Sequence, residues 1–235
     1  MKKKILIIIS IFLILTTSFL VYYVNDFYKA VNIDNYMQST DTVKVIKIDS
    51  GYWFDGPGND TALIFYPGAK VETTAYAKLM NILSSEGIDC FLIDMPFKLA
   101  FLGIDKATQI INNYKYNYWC MAGHSLGGVA ASEYVYNNPQ KINSLILLGS
   151  YPAKKIDDNV KFISIYGEND GVLNKKSYND SKKYWSKNSY EKVIEGGNHA
   201  NFGDYGEQKG DNKSTITSDE QKDQTAMFIK ESLIK

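Results

Sequence analysis

The residues Gly123-His124-Ser125-Leu126-Gly127 place a serine between two glycines, each two positions away. A serine hydroxyl is a weak nucleophile and needs a base beside it. The G-x-S-x-G spacing suits a sharp strand-to-helix turn that lifts the hydroxyl clear of the backbone, with glycines relieving the crowding. An apolar stretch, Tyr116 to Ala122, precedes the motif, and a helical pattern, Gly127 to Tyr136, follows it. The positive end of that helix then points at Ser125.

The chain contains only two histidines. His124 lies inside the turn, where its side chain is expected to point away from Ser125. That leaves His199, in Glu195-Gly196-Gly197-Asn198-His199, as the expected general base. A carboxylate must orient its imidazole. For a serine on a strand-to-helix turn, the acid falls between serine and histidine in chain order. Asp170 follows the predicted strand Val160 to Tyr166 and is the expected acid. Glu168 is the competitor, and Asp204 falls on the wrong side of His199. An acyl-transfer intermediate also needs two backbone donors. The N–H groups of Leu126 and Ala69 are expected to supply them, with Gly68 or Lys70 as alternatives to Ala69.

The elements that must position these groups alternate strand and helix. Predicted strands cover Thr42 to Ile48, Ala62 to Tyr66, Ile88 to Ile93, Tyr116 to Ala122, Ile142 to Leu148, Val160 to Tyr166 and Tyr190 to Ile194. Predicted helices run from a Thr73 or Thr74 cap to Ser85, then Asp105 to Tyr114, Gly127 to Tyr136, Asn174 to Trp185 and Ser218 to Ile234. The last opens on Ser218 and Gln221, a capping-box pattern. Asp55-Gly56-Pro57-Gly58 marks a turn, and Gly203 to Thr215 an irregular surface loop. Such alternation implies an α/β class: a mostly parallel central sheet with helices on both faces.

At the amino terminus, Lys2-Lys3-Lys4 precedes an apolar run from Ile5 to Val24, about the 20 residues that span a bilayer. No A-x-A-like cleavage site interrupts it. Residues 1–24 are therefore expected to be an uncleaved signal-anchor helix, with a cleaved secretory signal as the alternative. The lysines place the amino terminus inside and the rest of the chain outside the cell membrane. Residues 25–40 read as a polar tether and 41–235 as the domain. Lys+Arg and Asp+Glu both total 26, and every basic residue is lysine. This balance gives no footprint for nucleic acid, and no cofactor or metal pattern is present. The expected partners are a small-molecule ester and, through the helix, the lipid bilayer.

Beyond Ser125, Asp170 and His199, the segments Tyr66-Pro67-Gly68-Ala69, Thr74-Ala75-Tyr76, Met95-Pro96-Phe97 and Gly197 to Gly206 resemble the serine α/β-hydrolase superfamily, and within it small lidless bacterial members similar to the dienelactone-hydrolase-like group. The resemblance covers nearly all of the chain after the anchor. It implies the α/β-hydrolase fold, with the Cys90 and Cys120 strands separated by the Ala62–Tyr66 strand. Two strand spacings, about 9–10 Å, exceed disulfide reach, so both cysteines are expected as buried thiols. Superfamily members usually carry His-Gly where this chain has Pro67-Gly68, but backbone donors do not depend on that side chain. Dienelactone hydrolases proper use a cysteine nucleophile, and Ser125 argues against that specific activity. Cap domains in this superfamily are commonly inserted between the Ile142–Leu148 strand and the Val160–Tyr166 strand. Only Gly149 to Asn159 is available there, so no cap domain and an open pocket are implied. Met95, Phe97, Leu99, Phe101, Tyr151 and Phe202 are candidate pocket walls. The expected activity is carboxylic ester hydrolysis through Ser125, His199 and Asp170. Acyl transfer or amide hydrolysis by the same residues is the alternative, and a non-catalytic binding protein on this scaffold is the alternative of another class.

Overall fold

Alternate residues of each central strand face opposite helical layers. In the computed structural model, which describes residues 2–58 and 60–234, eight strands form one sheet. Met1, Asn59 and Lys235, which fall within the predicted anchor and domain, lie outside the described residues. The strands are β1 (Lys44–Ile48), β2 (Gly51–Asp55), β3 (Thr61–Tyr66), β4 (Ile88–Ile93), β5 (Tyr118–His124), β6 (Ser144–Leu148), β7 (Lys161–Gly167) and β8 (Ser189–Ile194). Their order is β1-β2-β4-β3-β5-β6-β7-β8; β2 runs antiparallel to both of its neighbours, β1 and β4, and every other pairing is parallel.

The helices are α1 (Lys2–Asn25), α2 (Ala77–Ser85), α3 (Lys106–Asn113), α4 (Leu126–Asn137), α5 (Lys175–Ser181) and α6 (Ser218–Ile234). Leu63, Phe65, Cys90, Leu92, Cys120 and Ala122 pack with Leu79, Leu83 and Ile229 of α2 and α6. The alternate residues Ala62, Ile64, Phe91, Ile93 and Met121 pack with Ile110, Ala130 and Tyr134 of α3 and α4. Period-2 alternation in the strands thus fills both layers, which is why these segments read as continuous apolar runs. Cys90 and Cys120 both pair with Leu63 from opposite sides, and both are buried free thiols. Burial pushes each thiol well above its ordinary pKa, which keeps it protonated and unreactive.

Three local readings need correction. The stretch before the Asp55–Gly58 turn carries a strand where none was predicted: Tyr52, Trp53 and Phe54 are good strand formers and make β2, which hydrogen-bonds β4. No threonine side chain caps the segment after β3, where a 3₁₀ turn (Thr73–Tyr76) leads into α2. The capping box of α6 lies one residue earlier than read. Glu220 N–H donates to Thr217 Oγ1 at 3.1 Å, and Thr217 N–H donates to Glu220 Oε2 at 2.7 Å. Between β6 and β7 the chain passes without a helix, so there is no cap domain.

Among the described residues one helix, Lys3–Asn25, is long and apolar enough to cross a membrane. Residues after it lie against the domain. Tyr28 forms a parallel bridge with Val71, and Val31 N–H donates to Asp204 O at 2.9 Å.

Candidate active site

Ser125 sits between the end of β5 and the start of α4 with φ 52° and ψ −125°. A non-glycine residue in that region is strained, and such strain persists only where neighbours hold it. Here the hold is on the main chain. Ser125 N–H donates to Leu148 O at 3.0 Å, and Ser125 O accepts from Ser150 Oγ at 2.7 Å. The flanking glycines are needed for close approach. A Cβ on Gly123 would lie 2.5 Å from Gly127 O, and one on Gly127 would lie 2.2 Å from Pro67 O. The turn is therefore pressed directly against the loop after β3.

The base and acid candidates are brought together by the loops after β7 and β8. His199 Nδ1–H donates to Asp170 Oδ2 at 2.8 Å, and both side chains are almost completely buried. The other carboxylate oxygen, Oδ1, accepts Val172 N–H at 2.9 Å and Leu173 N–H at 2.7 Å. Three donors thus converge on this one carboxylate and hold it in place. His199 Nε2 is buried and has no hydrogen-bond partner among the described residues. The competing acids are engaged elsewhere. Glu168 Oε2 accepts Gly196 N–H at 3.0 Å, and Asp204 Oδ1 pairs with Lys222 at 2.7 Å.

The backbone donors can be sorted by where their hydrogens go. Pro67 has none. Gly68 N–H donates to Tyr76 Oη at 3.1 Å, and Lys70 N–H donates to Lys98 O at 3.0 Å. Ala69 N–H, between them, meets no acceptor among the described residues. Leu126 N–H is the first amide of α4 and is likewise unpaired, as helix geometry requires. Of the three residues considered after β3, only Ala69 keeps a free donor.

Sequence reasoning placed His124 away from Ser125, and its ring does turn into the core. It also joins three parts of the site. Its Nδ1 hydrogen-bonds the Tyr76 hydroxyl at 2.8 Å, the same hydroxyl that accepts Gly68 N–H. Its ring centroid lies 4.4 Å from that of His199. Burial, then the neighbouring His199, depress its pKa well below the ordinary 6.5. The unfolded chain therefore takes up this proton first as pH falls. Stability from neutral His124 is complete above about 6.5 and is lost below it, by up to ~1.4 kcal/mol per pH unit. Urea unfolding of wild type and His124→Gln across pH 7 to 5 checks this: the wild type should lose stability more steeply.

Two supporting residues had no readable signal. Asp211 Oδ1 accepts Gly171 N–H at 2.9 Å and its Oδ2 accepts Ala200 N–H at 2.8 Å, tying the acid loop to the base loop. Gln221 accepts Asn198 N–H at 2.9 Å and donates to Asn198 O at 2.7 Å, bracing the residue before His199.

A cleft of about 190 Å³ opens beside Ser125, lined in part by Leu126, Val129, Tyr151, Val172 and Leu173. Of the six predicted pocket walls only Tyr151 lines it. Phe202 is instead buried against His124, 5.6 Å between ring centroids, and Phe97 is 60% exposed on the β4–α3 loop. The cleft is mainly apolar and uncovered.

The comparisons with known proteins agree with this architecture. No curated protein sequence matches the chain. Among solved structures it is similar to Est1E from Butyrivibrio proteoclasticus, with a TM-score of 0.58 at 15% identity over 83% of this chain and 100% of that one. It is similar to a dienelactone hydrolase from Anabaena variabilis, with a TM-score of 0.57 at 13% identity over 82% and 98% of the two chains. It is similar also to mouse alpha/beta hydrolase domain-containing protein 10, with a TM-score of 0.59 at 11% identity over 82% and 98%. At these identities the likeness concerns the fold. The sequence profile of the alpha/beta hydrolase family matches residues 62–223, most of the chain and every strand from β4 to β8, and the chain belongs to that family.

Proposed function

We propose that this protein is a membrane-anchored serine hydrolase acting on carboxylic esters. The observation that carries the reading is the His199–Asp170 pair, which leaves a buried, unpartnered Nε2 at a site that also holds Ser125 and two free backbone donors. With Nδ1 carrying the proton given to Asp170, Nε2 is the basic nitrogen. It accepts the Ser125 hydroxyl proton as Oγ attacks the acyl carbonyl. The oxyanion that forms is stabilised by the N–H groups of Ala69 and Leu126. His199 then returns the proton to the leaving alcohol, and the C–O bond breaks to give an acyl-enzyme. Water, activated by the same nitrogen, releases the acid and regenerates Ser125. Asp170 stabilises the imidazolium in both halves.

An uncovered apolar cleft that holds only a few methylene groups suits an ester more than an extended peptide. The likeness to a dienelactone hydrolase is compatible with this choice. Capture of the acyl-enzyme by an alcohol instead of water is the nearest rival, and no residue in the cleft favours it. In this reading α1 spans the membrane with its lysines inside, and the catalytic domain lies on the extracellular side. Hydrolysis of p-nitrophenyl esters of graded acyl length tests the reading. Full-length protein should release nitrophenol and free acid in equal amounts; absence of release from folded protein for every ester contradicts it.

A further inference from the structure

The chain leaving α1 is bound to the loops that carry the reacting groups. Asp26 pairs with Lys70 at 2.6 Å, Tyr28 N–H donates to Lys70 O at 2.7 Å, and Glu72 N–H donates to Tyr28 O at 2.9 Å. These contacts grip the residues directly after Ala69. On the other side Tyr28 packs on Tyr205, and Val31 N–H reaches Asp204 O, both a few residues beyond His199. Asn25 ends the helix and Tyr28 is already paired, so at most ~10 Å of chain separates them. A headgroup layer is ~5–8 Å thick. With α1 in a bilayer, these contacts would hold the edge carrying Ser125 close to the lipid surface.

That edge also carries apolar surface without a partner. Phe97 and Leu102, on the β4–α3 loop, are 60% and 57% exposed. Phe97 and Lys98 both hold left-handed φ, 51° and 56°, an unfavourable conformation for a bulky residue that turns Phe97 outward. The loop abuts both the Ala69 loop, through Lys70 N–H to Lys98 O, and the post-anchor segment, through Lys98 Nζ over the Phe27 ring at 3.7 Å. Apolar side chains flanked by lysines on one rim are what an interfacial surface requires.

We propose that the catalytic edge lies on the bilayer leaflet from which α1 emerges, and that the substrates are acyl esters of amphiphiles resident in that leaflet. The proposal rests on the hydrolase reading of Ser125 and on α1 as an anchor. A cleft of about 190 Å³ cannot enclose a long acyl chain, and the leaflet houses the remainder. Both native cysteines are buried, so a single introduced cysteine can be labelled selectively.

Full-length protein in phosphatidylcholine–phosphatidylglycerol vesicles, labelled with a fluorophore at Leu102→Cys, should be quenched by lipids carrying a headgroup nitroxide. The same label at Tyr136→Cys, at the far end of α4, should not. Leu102→Glu should lower kcat/KM about tenfold for p-nitrophenyl palmitate held in the vesicles, and leave hydrolysis of aqueous p-nitrophenyl acetate unchanged. Equal quenching at the two positions, or an unchanged rate on the vesicle ester with acetate hydrolysis intact, overturns the proposal. Failure of the wild type to hydrolyse either ester overturns the hydrolase reading and the substrate assignment together, while the quenching result still decides the orientation.

Discussion

Ser125→Ala should abolish ester hydrolysis, lowering kcat by about 10⁴–10⁶-fold, because the covalent step has no other nucleophile. The protein should otherwise be unchanged. Every hydrogen bond that holds Ser125 in its strained conformation is made by its main chain, to Leu148, Ser150, Gly128 and Val129. Alanine keeps the Cβ and the same backbone strain, so thermal unfolding should shift by less than ~0.5 kcal/mol. Stopped assays of nitrophenol release, read beside circular dichroism melts, separate lost chemistry from lost fold. A variant retaining a tenth of the wild-type rate contradicts the assignment, and Ser150, which lines the same cleft, would then become the nucleophile to examine.

Asp170→Asn should lower kcat by about 10⁴-fold at neutral pH with little change in KM. The asparagine oxygen can still accept from Val172 and Leu173, so the loop is expected to keep its shape. Its amide then donates to His199 Nδ1 and drives the imidazole proton onto Nε2, the nitrogen that must accept from Ser125. Glu168→Gln is the contrast. Glu168 holds Gly196 N–H and makes no bond to His199, so its loss should change kcat by no more than about threefold, the effect of one peripheral hydrogen bond. Steady-state rates on p-nitrophenyl acetate for the two variants decide between the acids; equal losses would contradict the assignment to Asp170.

The parts of the site that were legible in the sequence are those set by local sterics and chain order. Gly123 leaves no room for a Cβ against the backbone of Gly127 and Gly128, nor Gly127 against the Pro67 loop, so the motif carries its geometry with it. Asp170 and His199 follow successive parallel strands, whose carboxyl ends share one edge, and that placement brings them to hydrogen-bonding distance. The family and the order of the central strands follow from the resemblance that these motifs carry, and the strand–helix alternation gives the α/β class. What was not legible depends on where individual hydrogens and side chains go in three dimensions. Gly68, Ala69 and Lys70 are equivalent as a string, and only the acceptors Tyr76 and Lys98 separate them. Thr217–Glu220 and Ser218–Gln221 have the same capping spacing. The second fails because Gln221 is buried and committed to Asn198. Residues 25–40 look like a tether because polar residues there suit water, but a single bridge to Val71 leaves no periodic signature.

The central claim is that Ser125, activated by His199, attacks acyl carbonyls. A fluorophosphonate probe tests it most directly, because it reacts only with an activated serine and leaves a covalent mark. Full-length wild-type protein, labelled in vesicles and digested, should show one phosphonylated peptide, containing Ser125, and labelling should fall sharply in His199→Ala. A folded wild-type protein that takes up no probe, or takes it up on a peptide without Ser125, would contradict the account.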